Sequence, residues 1–271
     1  MKFKLNLIQA SLLAAMTVAS AGASAAVFPD FEVTETSVPG TSPNVFTADK
    51  ITGNYVEVVT FDGAGNFYTS IKWQAGQFVA NDGNDPVTTQ LGSFGDGGYG
   101  LYGLLQGSGT YSTVGAVTTF SFNPGGSLAV WIDPDANTTF TAPANGSLAW
   151  TTGNTGDPDY LIASGALIDG VGTLDPTLLS CDPGINCGSF GTTTSFLLTA
   201  AGSAYFTGPS PFYNLMFESG QLDNFEVAGT QTITGSLDVV FGNAVPEPSS
   251  IALMGMGLMG LGLALRRRKQ A

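Results

Sequence analysis

The sequence predicts an all-β chain, a single β-sandwich or jelly-roll-like domain, and three observations carry that prediction. Short runs of β-branched and aromatic residues with period-two alternation recur along the chain, separated by Gly-, Pro-, Asn- and Asp-rich turns. Glycine numbers 37 and only 11% of residues are charged, which breaks helices before they reach useful length. No window between the two ends holds a sustained 3.6-residue apolar stripe. Apolar content of 43% argues against disorder. The predicted body, residues 26–244, is long enough for one domain with a sizeable core.

The elements follow in order. Tyr55–Phe61 and Phe67–Trp73 flank Asp62–Asn66 and read as a hairpin. Gly92–Gly109 is the least regular stretch, either a strand pair with small residues where backbones approach or a surface loop. It lacks the Gly-Lys-Ser/Thr ending of a phosphate cradle. Val117–Phe122 places Phe120 and Phe122 on one face, and Asn123-Pro124-Gly125-Gly126 then reads as a turn into Leu128, Val130 and Ile132, a second hairpin. Later strand patterns cover Leu161–Leu167, Thr192–Ala200, Ser203–Thr207, Phe212–Phe217, Phe225–Val227 and Thr232–Phe241, the last with Leu237, Val239 and Phe241 on one face. Roughly ten to fourteen short strands in this spacing fit a sandwich or jelly roll.

Both ends stand apart from the fold. Lys2 and Lys4, the apolar Leu12–Met16 and the small residues Ala23-Ser24-Ala25 make residues 1–25 a signal peptide, with signal peptidase cutting after Ala25. Residues 245–271 combine Val245-Pro246-Glu247-Pro248, an apolar run from Ile251 to Leu265 and the cluster Arg266-Arg267-Arg268-Lys269. As a helix the run reaches roughly 22 Å, short of a roughly 30 Å hydrocarbon core, so it is a marginal span that snorkelling cations can extend. The basic cluster belongs on the cytoplasmic side and the body outside it. Each proline fixes its own φ and pushes the preceding residue out of the helical region, which holds Val245–Pro248 extended.

Of the 21 acids in the chain only Glu247 lies outside the body, and of the 8 bases only Lys50 and Lys72 lie within it, leaving 20 against 2 and a net charge of −18. Nucleic acid is excluded as a partner, because its affinity rests on Lys and Arg neutralising phosphates. Two readings of the charge stay open: solubility by self-repulsion, or collection of divalent cations that bridge to an anionic polysaccharide.

Cys181 and Cys187 bracket five residues and, in an oxidising compartment, form a structural disulfide. With no histidine in the chain, Ser-His-Asp and Cys-His catalysis are excluded. A carboxylate pair acting on a glycosidic bond remains conceivable, with Glu57 and Glu226 on strand patterns, but nothing joins them. The body is therefore expected not to be an enzyme and to need no cofactor. Asp133-Pro134-Asp135-Ala136-Asn137 begins like a calcium loop, yet Thr138 and Ala144 replace the Gly and Glu an EF-hand needs. The loop is either a looser calcium site built on Asp133, Asp135 and Asn137 or a turn that closes the strand ending at Ile132.

The motif, apolar run and basic cluster together resemble the PEP-CTERM sorting signal of Gram-negative bacteria that export polysaccharide. The resemblance implies recognition by exosortase, a membrane-embedded cysteine protease, with transient anchoring in the inner membrane before release to the cell surface or matrix. An ordinary single-span anchor with a proline-rich stalk is the alternative. Thr47–Tyr55 and Trp131–Phe140 are similar to the floc-associated PEP-CTERM proteins, which implies support of floc or biofilm formation by retention of extracellular polysaccharide. The competing function is an extracellular carbohydrate-active enzyme or lectin-like domain.

Overall fold

A computed structural model describes residues 28–92, 98–181 and 184–242. The strands are β1 (Phe31–Thr34), β2 (Val45–Ala48), β3 (Lys50–Phe61), β4 (Asn66–Ala80), β5 (Asp85–Pro86), β6 (Gly100–Val114), β7 (Val117–Phe122), β8 (Gly125–Asp133), β9 (Thr139–Thr141), β10 (Thr151–Gly153), β11 (Tyr160–Leu174), β12 (Gly188–Thr194) and β13 (Leu197–Leu198). After the short helix α1 (Ala200–Tyr205) come β14 (Phe206–Gly208), β15 (Asn214–Ser219), β16 (Gly229–Ser236) and β17 (Asp238–Gly242). The chain is all-β, as its alternation predicts.

The large sheet closes on itself. β3 pairs with β4, β4 with β6, β6 with β7 and β8, these with β11, then β12, β15 and β17, which returns to β3. Every one of these pairings is antiparallel, and β16 lies beside β3 in line with β17, so that the two fill one position of the ring. The ring is an eight-position meander whose opposed walls share one core, as the layers of a sandwich do, while closure removes most free edges. Eight strands enclose an interior that side chains can fill. Alternation supplies that filling: Ile51, Tyr55, Val59 and Phe61 from β3, Phe67, Ile71 and Trp73 from β4, and Leu128, Val130 and Ile132 from β8 are all buried.

The first predicted hairpin stands, with its strands extended to Lys50 and Ala80. The second does not. β7 and β8 never pair; both run antiparallel to β6 and to β11, as two halves of one broken strand. Phe122 faces Gly109 and Ser127 faces Gln106, so four residues, 123–126, stand opposite two of β6. That is a bulge. Gly125 and Gly126 have φ of 113° and 71°, which a turn and a bulge both require, so the local sequence does not separate them.

Other boundaries move as well. Gly100–Val114 is a central strand of the ring, and its small residues leave room for Phe67 and Leu167 to lie over it. Ser203–Thr207 divides between α1 and β14, because Thr199 caps the helix by accepting from the amide of Gly202 at 3.1 Å. Phe225–Val227 is not a strand, and Thr232–Phe241 is broken at Leu237. Seventeen strands occur among the described residues, more than the spacing predicts, because several are two- and three-residue pairings.

One end of the ring is capped by the sheet β14–β1–β2 and α1. Phe31, Phe206, Phe212 and Phe241 pack there with ring centroids 4.9–6.5 Å apart. Beside them the fully buried Glu35 accepts from the Tyr99 hydroxyl (2.9 Å), the Gln90 amide (2.8 Å) and Asn44 Nδ2 (2.7 Å). The Tyr99 and Tyr205 hydroxyls lie 2.5 Å apart. A flap, residues 142–150, covers the outer wall. Trp150 Nε1 donates to Ser70 O (3.1 Å), Gly146 N to Thr60 Oγ1 (3.0 Å), and Gln106 Nε2 to Ser147 O (2.6 Å), which is why Val58 and Ser70 are buried on the outward side.

Candidate functional site

The loop after β8 is closed by its own hydrogen bonds. Asp133 is fully buried; its Oδ1 accepts from the Asp135 amide (3.2 Å) and its Oδ2 from the Thr138 amide (2.7 Å), the arrangement of an Asp-led turn. Asp135 Oδ2 accepts from the Asp157 amide (2.9 Å). Asp159 takes Tyr102 OH (2.5 Å), Asn154 Nδ2 (2.5 Å) and the Thr138 hydroxyl (2.9 and 3.0 Å). Asp133, Asp135 and Asn137 thus come together in one loop, with the carboxylates turned to backbone amides. No cluster of three acidic, His or Cys side chains among the described residues is arranged to hold a metal. Asp135 and Asp157 rim an open cleft of about 640 Å³ with Gln90 and Pro134.

Glu57 lies elsewhere, inside the ring. It is 7% exposed and accepts from the Thr69 hydroxyl at 2.5 Å. Burial among apolar groups pushes its carboxyl up to about 7, and the Thr69 bond only partly opposes this. The cavity it meets has a volume of about 30 Å³, room for about one water, and is walled by Phe61, Phe67, Phe120, Phe190 and Phe225 with no second carboxylate. Glu226, the other acid on a predicted strand, is exposed on the loop before β16. The structure does not bring the two into one site.

The body's two cations are both engaged. Lys50 Nζ is 3.1 Å from Asp238 Oδ2. Lys72 donates to Gln74 Oε1 (2.6 Å) with its ammonium 4.8 Å from the Phe140 ring and 5.7 Å from the Trp150 ring. Partial burial lowers the Lys72 pKa. Most of the described acids, by contrast, sit in turns and on rims, as at Asp62, Asp82, Asp135, Asp157 and Asp175.

Cys181 and Cys187 form a disulfide. The consequence that sequence reasoning missed is the strap it holds. Cys187 N donates to Leu222 O (2.7 Å), Leu222 N to Gly188 O (3.1 Å) and Asn224 N to Gly184 O (2.8 Å). This lays Leu222 and Phe225 over the end of the ring opposite α1, with Phe225 stacked 6.1 Å from Phe61. Leu222 and Phe225, an apolar pair in the segment between β15 and β16, were the available signal.

Ala25, Val245, Pro246, Glu247, Pro248, Arg266, Arg267, Arg268 and Lys269 lie outside the described residues, as does the apolar run 251–265. Among the described residues no helix is long and apolar enough to cross a membrane. A family model for the PEP-CTERM protein-sorting motif matches residues 244–269, which takes in Val245–Pro248 and the basic cluster. That match does not reach Thr47–Tyr55 or Trp131–Phe140. No curated protein and no solved structure matches the chain.

Proposed function

We propose that this chain, which carries a PEP-CTERM protein-sorting motif and with it the mark of an exported, exosortase-processed protein, is a non-enzymatic matrix or surface protein that supports floc or biofilm formation by retaining exopolysaccharide. The observation that carries the reading is the charge of the folded surface. The body carries twenty acids, of which Glu35, Asp49, Glu57 and Asp133 are buried, against two lysines, and both lysines are held internally by Asp238 and by Gln74, Phe140 and Trp150. Such a surface repels an anionic polymer unless divalent cations bridge the two.

The non-enzymatic part rests on Glu57. A glycosidase sets two carboxyl groups about 5–10 Å apart across a sugar-sized cleft. Glu57 has the raised pKa of a general acid but is sealed among phenylalanines without a carboxylate partner. The carbohydrate-active or lectin-like alternative would use the shallow recess where Glu218 and Asp238 face each other across β15–β17, beside Asn54 and Gln221. Asp238 there is already paired with Lys50.

Deleting the gene in an aggregating strain tests the matrix role: cells should disperse, and re-expression should restore flocs. A chelator should loosen flocs of the wild-type strain, with calcium reversing it. Normal aggregation without the gene would sink the proposal, and flocs indifferent to chelation would remove cation bridging from it.

A further inference from the structure

The body and its processing motif are almost without a linker. β17 ends at Gly242, which faces Asn214 of β15, and Val240 faces Lys50 of β3. Phe241 is 1% exposed, packed against Phe31, Phe196, Phe206 and Phe212. Only Asn243 and Ala244 separate Gly242 from Val245 in the sequence, and three residue steps of fully extended chain reach at most about 11 Å. A protease that binds its substrate as a strand grips residues on both sides of the cut. Residues before Asn243 cannot enter a cleft without stripping β17 from β15 and β3.

We propose that the end of the ring around Gly242 is a contact surface for the processing enzyme, pressed against it while the tail is removed. This rests on the exosortase reading of the tail. The rim is defined by the fold: Asp49, next to Lys50, accepts from the amides of Asp82 (2.5 Å) and Gly83 (3.0 Å), which sets the 81–84 turn two strands, about 10 Å, from β17. Asp30 precedes Phe31, whose ring stacks edge-on against Phe241 at 4.9 Å. Asp30, Asp82 and Asp85 are exposed and Lys50 is paired with Asp238, so the enzyme surface that meets this rim carries basic or neutral groups. The β3–β4 turn, the β6–β7 turn and the disulfide loop lie at the opposite end and stay clear.

A photo-cross-linking side chain placed in the full chain at Asp30, Asp82 or Asp85 should yield adducts with exosortase, identified by mass. The same side chain at Val114 or Leu179, exposed at the far end, should not. A flexible insertion of about twelve residues after Gly242 should lower the near-end adducts about tenfold, through the fall in effective concentration. Equal adducts at both ends, none at the near end while the tail is still removed, or no effect of the insertion would each overturn the contact surface. Tail removal that survives Pro246→Ala with Glu247→Ala and Pro248→Ala would instead sink the reading of the tail on which the surface depends.

Discussion

The amide of Cys187 donates to the carbonyl of Leu222 across 2.7 Å, and Leu222 returns a bond from its own amide to Gly188. These bonds join the disulfide loop to a segment that seals a phenylalanine-lined ring end. The disulfide therefore acts on the strap and not only on the six-residue step it closes.

Reducing Cys181–Cys187 should lower stability by about 2 kcal/mol, the scale of a loop this short. It should also loosen Leu222 and Phe225, so an apolar dye should gain fluorescence well below the unfolding transition. A fall in melting temperature without dye uptake would show that the strap holds by its side chains alone. Leu222→Ala, at 3% exposure, should cost about 2–4 kcal/mol and admit dye with the disulfide intact.

Glu57 predicts the sign of a pH effect. Its folded pKa, about 7, lies above the ordinary 4.5. Between those values the folded state keeps a proton that the unfolded state has lost, so stability falls as pH rises from 4.5 to 7 and then levels. The full effect is about 3 kcal/mol at 1.36 kcal/mol per pH unit. Glu57→Gln should remove this slope and be the more stable protein at pH 8. Chemical denaturation at several pH values checks it; an unchanged slope in the variant assigns the proton to another group.

Gly146→Ala should destabilise by about 1–3 kcal/mol, because a Cβ there would clash with Tyr68 O on the ring wall. The flap should lift first, exposing Trp150 and freeing Lys72 from the Trp150 ring. Trp150 fluorescence is the readout, and a variant with native emission and native stability would mean that the flap is not seated on Tyr68.

The exported protein should begin near Ala26 and lack Ile251 onward, as the mass of the mature species will show. With Pro246, Glu247 and Pro248 replaced by alanine the chain should stay uncut and membrane-held. Equal tail removal in both forms would return the ordinary anchor as the better account.

Period-two alternation identified the side chains that share a face on β7 (Phe120, Phe122), β8 (Leu128, Val130, Ile132) and β17 (Val239, Phe241), because each strand reports its own buried face. It could not say which strands are neighbours. Asn123–Gly126 shows the reason: proline and two positive-φ glycines suit a tight turn and a bulge equally, and the choice is made by β6 and β11, which pair with both halves. Phe225–Val227 carries a strand-like pattern but becomes a plug, since Cys187 and Gly188 take the bonds that Leu222 offers.

By itself the sequence determined the all-β class, the anionic body, the absence of histidine chemistry and the sorting motif, all of which are properties of composition or of contiguous residues. Tertiary structure alone decided the closure of the ring, the sealing of Glu57 away from any second carboxylate, the engagement of Lys50 and Lys72, and the pairing of β17 with β15 as far as Gly242. Those depend on pairings between residues far apart in the chain, where backbone hydrogen bonds are chemically alike and only mutual packing selects among them.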